Sequence, residues 1–240
     1  MAPPQPVRIA HAYGNSRAAL RRALAADIDM IEVDIWYRGG DVYVHHARRL
    51  NPLPLLADKK MPGHPLPRPA FPVWPGYWVW PDINPLKLDE LLRIVGGRKR
   101  LLLDVKGRYK GGRSADFAEA IARRVREHQA SSWAVVCGQT YAILNALRRA
   151  EDDIEVRYSL EKPHQWESFL RKMKKDGRVR QVCISQHFID EEKARVLEQN
   201  GVNVYVWTID DPEAARQHIE QGVDGIISND LDLLENLPRL

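Results

Sequence analysis

Eight short apolar runs separated by amphipathic stretches of helical period constrain this chain more than any other feature of its sequence. The runs cover residues 8–11, 30–35, 101–105, 134–137, 155–159, 181–185, 202–208 and 225–228. Helical patterns occupy 16–26, 88–95, 115–128, 141–150, 165–175, 191–199, 212–221 and 232–237. Strand followed by helix, repeated through 240 residues, predicts an α/β fold closed into a (β/α)8 TIM barrel, because parallel strands are joined by helical crossovers. An open doubly wound sheet shares the alternation, but no glycine-rich phosphate loop follows the first run to support it. A chain of this length buries a full core, and one domain over residues 1–240 is expected.

Two segments depart from the alternation. Asp41-Val42-Tyr43-Val44-His45-His46 reads as an extra strand, joined to the second run through the turn residues Gly39-Gly40. Residues 51–85 are dense in proline and include Phe71-Pro72-Val73-Trp74-Pro75-Gly76-Tyr77-Trp78-Val79-Trp80-Pro81. A long irregular insertion in a compact domain is functional or disordered, and this one is too aromatic for disorder. It follows the second strand and its hairpin, so it is expected at the C-terminal face of the barrel, where barrel active sites lie.

Charge excludes some functions. The net charge is +4, but the basic residues are scattered over solvated helix faces such as 118–128 and 169–175, without the aromatic interleaving of a nucleic-acid module. No nucleic-acid partner is expected, while a mildly positive field suits an anionic substrate. No apolar run is long enough to span a bilayer and the first residues lack a signal-peptide layout, which predicts a cytoplasmic location. Cys137 and Cys183 each sit in an apolar run, as buried thiols do.

The second run, Met30-Ile31-Glu32-Val33-Asp34-Ile35, carries acids at alternate positions. Side chains alternate across a strand, so Glu32 and Asp34 share one face. Adjacent carboxylates repel unless a cation lies between them, and oxygen-only ligands favour a hard divalent ion, Mg²⁺ or Ca²⁺. Taken alone, the pair reads more readily as the solvated face of an edge strand. In a barrel, however, polar residues at strand C-termini converge. His11 ends the first run, Asp104 and Lys106 share a face of the third, and Tyr205 and Trp207 share a face of the seventh. Singly these read as a rim histidine, an ion pair and core aromatics. Together they describe a metal-phosphate site. Of His45 and His46, alternation groups His46 with Val42 and Val44 and selects it, with His45 open if the strand bulges.

At this point the residues resemble the glycerophosphodiester phosphodiesterases, from His11 to the C-terminus. The family's H-R-G, E-x-D, V-V-x-H-D, E-x-K, W-T and G-x-D-G-I-I-T-D correspond to text found here in the same order. That text is His11-Ala12-Tyr13-Gly14, Glu32-Val33-Asp34, Val44-His45-His46-Ala47, Asp104-Val105-Lys106, Trp207-Thr208 and Gly222-Val223-Asp224-Gly225-Ile226-Ile227-Ser228-Asn229. Leu50, four places past the second histidine, again selects His46. Three positions depart: the family arginine is Ala12, the aspartate after the second histidine is Ala47, and a metal-binding glutamate is Asp104. Arg17 or Lys106 is expected to compensate for the arginine. Asp104 within Asp-Val-Lys, and Asn229, are similar to the sphingomyelinase D-like phospholipases, a related barrel group.

The resemblance implies metal-assisted hydrolysis of a glycerophosphodiester to glycerol 3-phosphate and an alcohol. Glu32, Asp34 and Asp104 would hold one divalent cation, Lys106 would contact the phosphate, and His11 and His46 would form the acid–base pair, in an order left open. Trp207 and the 71–80 segment are expected to wall the alcohol or an acyl chain of a lysophospholipid-like substrate, and membrane contact through 71–80 is a further expectation. A sphingomyelinase D-like phospholipase and a non-catalytic phosphate-binding barrel are the rival readings.

Overall fold

The computed structural model describes residues 5–50, 53–60, 64, 66, 69–83, 85–109 and 111–237; the remaining parts of the expected 51–85 insertion lie outside the described residues. The strands are β1 (Val7–Ala10), β2 (Met30–Arg38), β3 (Asp41–Val44), β4 (Arg48–Arg49), β5 (Leu55–Lys59), β6 (Phe71–Trp74) and β7 (Tyr77–Pro81), then β8 (Leu86–Lys87), β9 (Arg100–Val105), β10 (Ala134–Gly138), β11 (Glu155–Leu160), β12 (Gln181–Ser185), β13 (Asn203–Trp207) and β14 (Gly225–Ser228). The helices are α1 (Arg17–Ala25), α2 (Leu88–Val95), α3 (Arg113–Glu127), α4 (Tyr141–Ala150), α5 (Pro163–Lys175), α6 (Glu191–Gln199), α7 (Pro212–Glu220) and α8 (Leu231–Glu235). Eight parallel strands close in the order β1-β2-β9-β10-β11-β12-β13-β14, with β14 returning to β1. This is the TIM barrel the alternation predicts, and each predicted run supplies one stave.

Side-chain alternation builds two cores. Ile31, Val33 and Ile35 face the helices with Leu20, Leu91 and Ile121, all fully buried. At about 1.5–3 kcal/mol for each large aliphatic side chain removed from water, this outer layer stabilises most of the fold. The opposite face fills the barrel with Ile9, Met30, Leu102, Val135, Cys137, Cys183, Tyr205 and Ile227. Both cysteines are free and buried. Gly225 makes room for this packing, since a Cβ there would lie 2.5 Å from Tyr205 Cδ1. Arg157, only 2% exposed, stacks on the Tyr205 ring at 3.3 Å and pairs with Glu155 at 2.7 Å, which gives its buried charge a partner.

The carboxylate strand is not an edge. β2 runs between β1 and β9, and beyond Ile35 it continues out of the barrel to pair antiparallel with β3. Gly39 and Gly40, at φ +59° and +88°, form the turn between them. Val44 and Val42 stand opposite Ile35 and Tyr37, on the helix-facing side. The alternation argument for His46 therefore does not carry past Val44, where the strand ends.

The insertion is more regular than its proline content suggests. β4, β5, β7 and β6 form an antiparallel sheet in that order. Trp74 pairs with Tyr77 across Pro75-Gly76, with Gly76 at φ +77°, as proline-glycine turns require. Pro72 is tolerated because β6 is the edge strand and the ladder is irregular between Pro72 and Trp74.

Candidate active site

Three carboxylates meet where β2 and β9 run side by side. Asp34 is in register with Asp104, and Glu32 lies one pleat deeper beside Leu102. Glu32, Asp34 and Asp104 each offer an oxygen within 4.8 Å of the others. Glu32 and Asp34 are 3% and 0% exposed. Their counter-charge is Lys106, whose ammonium lies 2.7 Å from Asp34 Oδ1 and also bonds Asp104. The sequence placed Lys106 on the face of Asp104; the fold turns it onto the acids themselves.

The electrostatics show a deficit of positive charge. Burial pushes the Glu32 carboxyl well above the ordinary range, and the neighbouring Asp34 charge adds to the rise. Burial also raises Asp104, against the pull of Lys106. Asp34 alone goes down: burial opposes ionisation, but Lys106, His46 and His11 together outweigh it. The Lys106 ammonium resists burial because Asp104, Asp34 and Glu32 surround it, and its pKa lies well above the usual value. Asp34 Oδ1 is buried without a well-aligned hydrogen bond. An all-oxygen set of three acids with one amine fits a hard divalent cation.

Backbone conformation brings hydrogen-bond donors onto these acids. Ala12 adopts the left-handed conformation at φ +60° and donates its N–H to Glu32 Oε2 at 2.5 Å. The 3₁₀ turn Tyr13–Asn15 follows it. There Asn15 donates its amide to Asp34 Oδ2 at 2.5 Å and accepts the Asp34 N–H at 2.8 Å. Gly14 lets this turn lie against β2, since a Cβ would fall 2.5 Å from Val33 Cβ.

His11 is held in one tautomer. Asp210 accepts the Asn229 side-chain amide at 2.7 Å, which leaves Asn229 Oδ1 as acceptor for His11 Nδ1 at 2.8 Å. His11 Nε2 then carries the free lone pair and lies 3.9 Å from Glu32 Oε2. Burial lowers the His11 pKa, although the Asn229 hydrogen bond opposes this, which favours the neutral ring.

His46 is shifted the opposite way. Its Nδ1 donates to Asp58 Oδ2 at 2.5 Å, and that bond raises its pKa despite burial. Asp58 comes from β5, in the insertion. His45 is occupied elsewhere: its ring stacks on Trp36 at 13° and bonds the Ala47 carbonyl at 2.8 Å, while its own carbonyl accepts Trp36 Nε1. Trp207 sits beside Ser185 and Ile227 in register, at the C-terminal end of β13. Arg17 is paired with Glu90 at 2.6 Å.

A cavity of about 290 Å³ opens between the barrel mouth and the insertion, lined among others by Ala12, Asn15, His46, Asp58, Trp80 and Ile83. It adjoins the carboxylates through the residues that bond them rather than being lined by them. Asn15, Asp58, Asp210 and the orienting role of Asn229 escape a reading by sequence. Asn229 alone carried a signal, as part of the C-terminal motif.

A model of the glycerophosphoryl diester phosphodiesterase family matches residues 9–233. Glycerophosphodiester phosphodiesterase GDPD4 of Arabidopsis thaliana is 27% identical over 156 residues, which cover 62% of this chain and 45% of that protein. The chain thus spans less than half the length of that relative. An Oleispira antarctica phosphodiesterase in complex with the product sn-glycerol-3-phosphate superposes at a TM-score of 0.68 with 19% identity, covering 95% of each chain. A glycerophosphodiester phosphodiesterase of Thermotoga maritima gives 0.68 at 18% identity, covering 98% of this chain and 99% of that one. At such identities the likeness to both structures is one of fold.

Proposed function

The chain belongs to the glycerophosphoryl diester phosphodiesterase family, and on that premise we propose that it is a phosphoric diester hydrolase that converts glycerophosphodiesters to glycerol 3-phosphate and an alcohol. One observation carries the reading: three carboxylates, two of them buried, lie within 4.8 Å of each other at the barrel mouth, and the His11 and His46 imidazoles are each held by a second residue. Residues 1–240 act as one barrel domain, with the insertion forming part of the site.

Glu32, Asp34 and Asp104 would hold one divalent cation, Mg²⁺ or Ca²⁺, which supplies positive charge to a non-bridging phosphate oxygen. Lys106 binds Asp34 and Asp104 and adds its charge beside the phosphate. His11, neutral with Nε2 free, accepts the proton of the glycerol 2-hydroxyl as its oxygen bonds phosphorus. His46, whose pKa is raised by its hydrogen bond to Asp58, gives a proton to the departing alcohol oxygen as its bond to phosphorus breaks. A cyclic phosphate results. Water then adds to phosphorus with the two imidazoles exchanging roles, the bond to the 2-oxygen breaks, and glycerol 3-phosphate is released. Trp207 forms an apolar wall for the alcohol.

Turnover of sn-glycero-3-phosphocholine, followed by glycerol 3-phosphate release with and without chelator, tests this for the wild type and His11→Ala. Loss of turnover in both perturbations is expected. Chelator-insensitive hydrolysis, or full activity in His11→Ala, would overturn it.

A further inference from the structure

The outward face of the insertion sheet is apolar, cationic and free of acids. Trp74 is opposite Tyr77 and Phe71 opposite Val79, so these side chains share a face. Trp74, Phe71 and Tyr77 are 72%, 57% and 40% exposed, and Val73 at the irregularity is 59% exposed. Lys59 and Arg48 join that face, because Lys59 is opposite Tyr77 and Arg48 opposite Ala57, itself opposite Val79. The Lys59 ammonium lies 5.2 Å from the Tyr77 ring centre. The other face carries Leu56, Asp58 and Trp80 towards the cavity, whose edge Lys59 also borders.

Acids are kept off the outward face. Between residues 48 and 87 the sequence has two, Asp58 and Asp82. Asp58 is bound to His46, and Asp82 is fully buried against Arg38 and Arg49.

Folding gains nothing from leaving a tryptophan and a phenylalanine in water, so such a patch marks a contact surface. Strand addition by a second copy is disfavoured, because edge strand β6 has Pro72, an irregular ladder, and Pro75 directly after it. Tryptophan and tyrosine interleaved with cations instead match the boundary of a bilayer bearing anionic head groups. Ile83, 69% exposed, lines the cavity, so an apolar rim lies at its mouth.

We propose that the β6–β7 hairpin docks the chain on an anionic lipid surface. Resting on the phosphodiesterase reading above, the substrates then include phosphodiesters whose alcohol carries an acyl chain held in that surface. Lipid docking itself requires no catalysis.

Cosedimentation with vesicles of phosphatidylcholine alone, and with about one third phosphatidylglycerol, tests the docking. The wild type is expected to partition onto the anionic vesicles. Phe71→Ser/Trp74→Ser should reduce the partition at least tenfold and, separately, Arg48→Gln should reduce it about fivefold. Melting temperature and turnover of soluble glycerophosphocholine should stay at wild-type values in both. Unchanged partition in the variants, equal partition onto pure phosphatidylcholine, or a dimer abolished by Phe71→Ser/Trp74→Ser would overturn the proposal. Soluble turnover without sedimentation rejects docking alone. Sedimentation without turnover of any phosphodiester supports docking and rejects the phosphodiesterase reading.

Discussion

Replacing Gly14 by alanine tests whether the turn after β1 sets the site. The added Cβ would lie 2.5 Å from Val33 Cβ, 2.9 Å from Val33 Cγ2 and 3.2 Å from the Glu32 carbonyl oxygen. Resting carbon pairs stand about 3.5–4.0 Å apart, so something must move by about 1 Å. Val33 is 0% exposed and lies in a strand paired on both sides, so the turn yields. Gly14 lies outside the left-handed region, which leaves the clash as the sole perturbation. Overpacking of this kind costs about 1–3 kcal/mol. At roughly 2–4 °C per kcal/mol for a chain of this size, the melting temperature should fall by about 2–12 °C. The same shift pulls the Ala12 N–H from Glu32 and the Asn15 amide from Asp34. Misplacement of that order at a reacting centre costs roughly 10²-fold in kcat/KM. Thermal melting by circular dichroism and glycerophosphocholine turnover read the two effects. Gly177→Ala, with nothing within 4 Å of its Cβ, should leave both unchanged. Wild-type turnover and melting in Gly14→Ala would refute the argument.

Asp58→Asn removes the charge that holds the His46 pKa up. The alkaline limb of the kcat/KM profile should then move to lower pH; an unmoved limb excludes His46 as the acid. A raised histidine pKa gives stability that is present below the ordinary histidine value and lost as pH rises through the folded one. Melting of Asp58→Asn should therefore differ from wild type at about pH 5 and converge with it at high pH. Asp104→Asn should abolish divalent-cation binding by calorimetry and lower turnover by about 10²-fold or more, and retained binding would remove Asp104 from the ligand set. Gly225→Ala forces a Cβ to 2.5 Å from Tyr205 Cδ1. It should destabilise by about 1–3 kcal/mol in urea titration, and a neutral result would show that the ring shifts freely.

The barrel was legible because its signal is local. Each strand is a short apolar run, each intervening stretch has a period near 3.6, and eight repeats leave little choice of topology. The facing of Glu32, Asp34 and Asp104 followed from the same pleat. The insertion was read as irregular because its prolines argue against strands; only pairing shows β6 to be an edge where they are tolerated.

His46 was selected in the sequence by an alternation that stops at Val44, and its partner Asp58 became visible only when β5 was laid over the barrel mouth. His11 depends on Asn229, 218 residues away, and no spacing rule reaches across that separation. The sequence by itself determined the eight barrel strands, their helices and which acids share a face, because backbone periodicity is a property of neighbouring residues. The tertiary structure decided the rest: Lys106 lying on the acids, the His11 pKa pushed down, the His46 pKa pushed up and an aromatic face turned outward. Each of those depends on burial and on partners distant in the chain, and the charge of a buried group is set by what surrounds it.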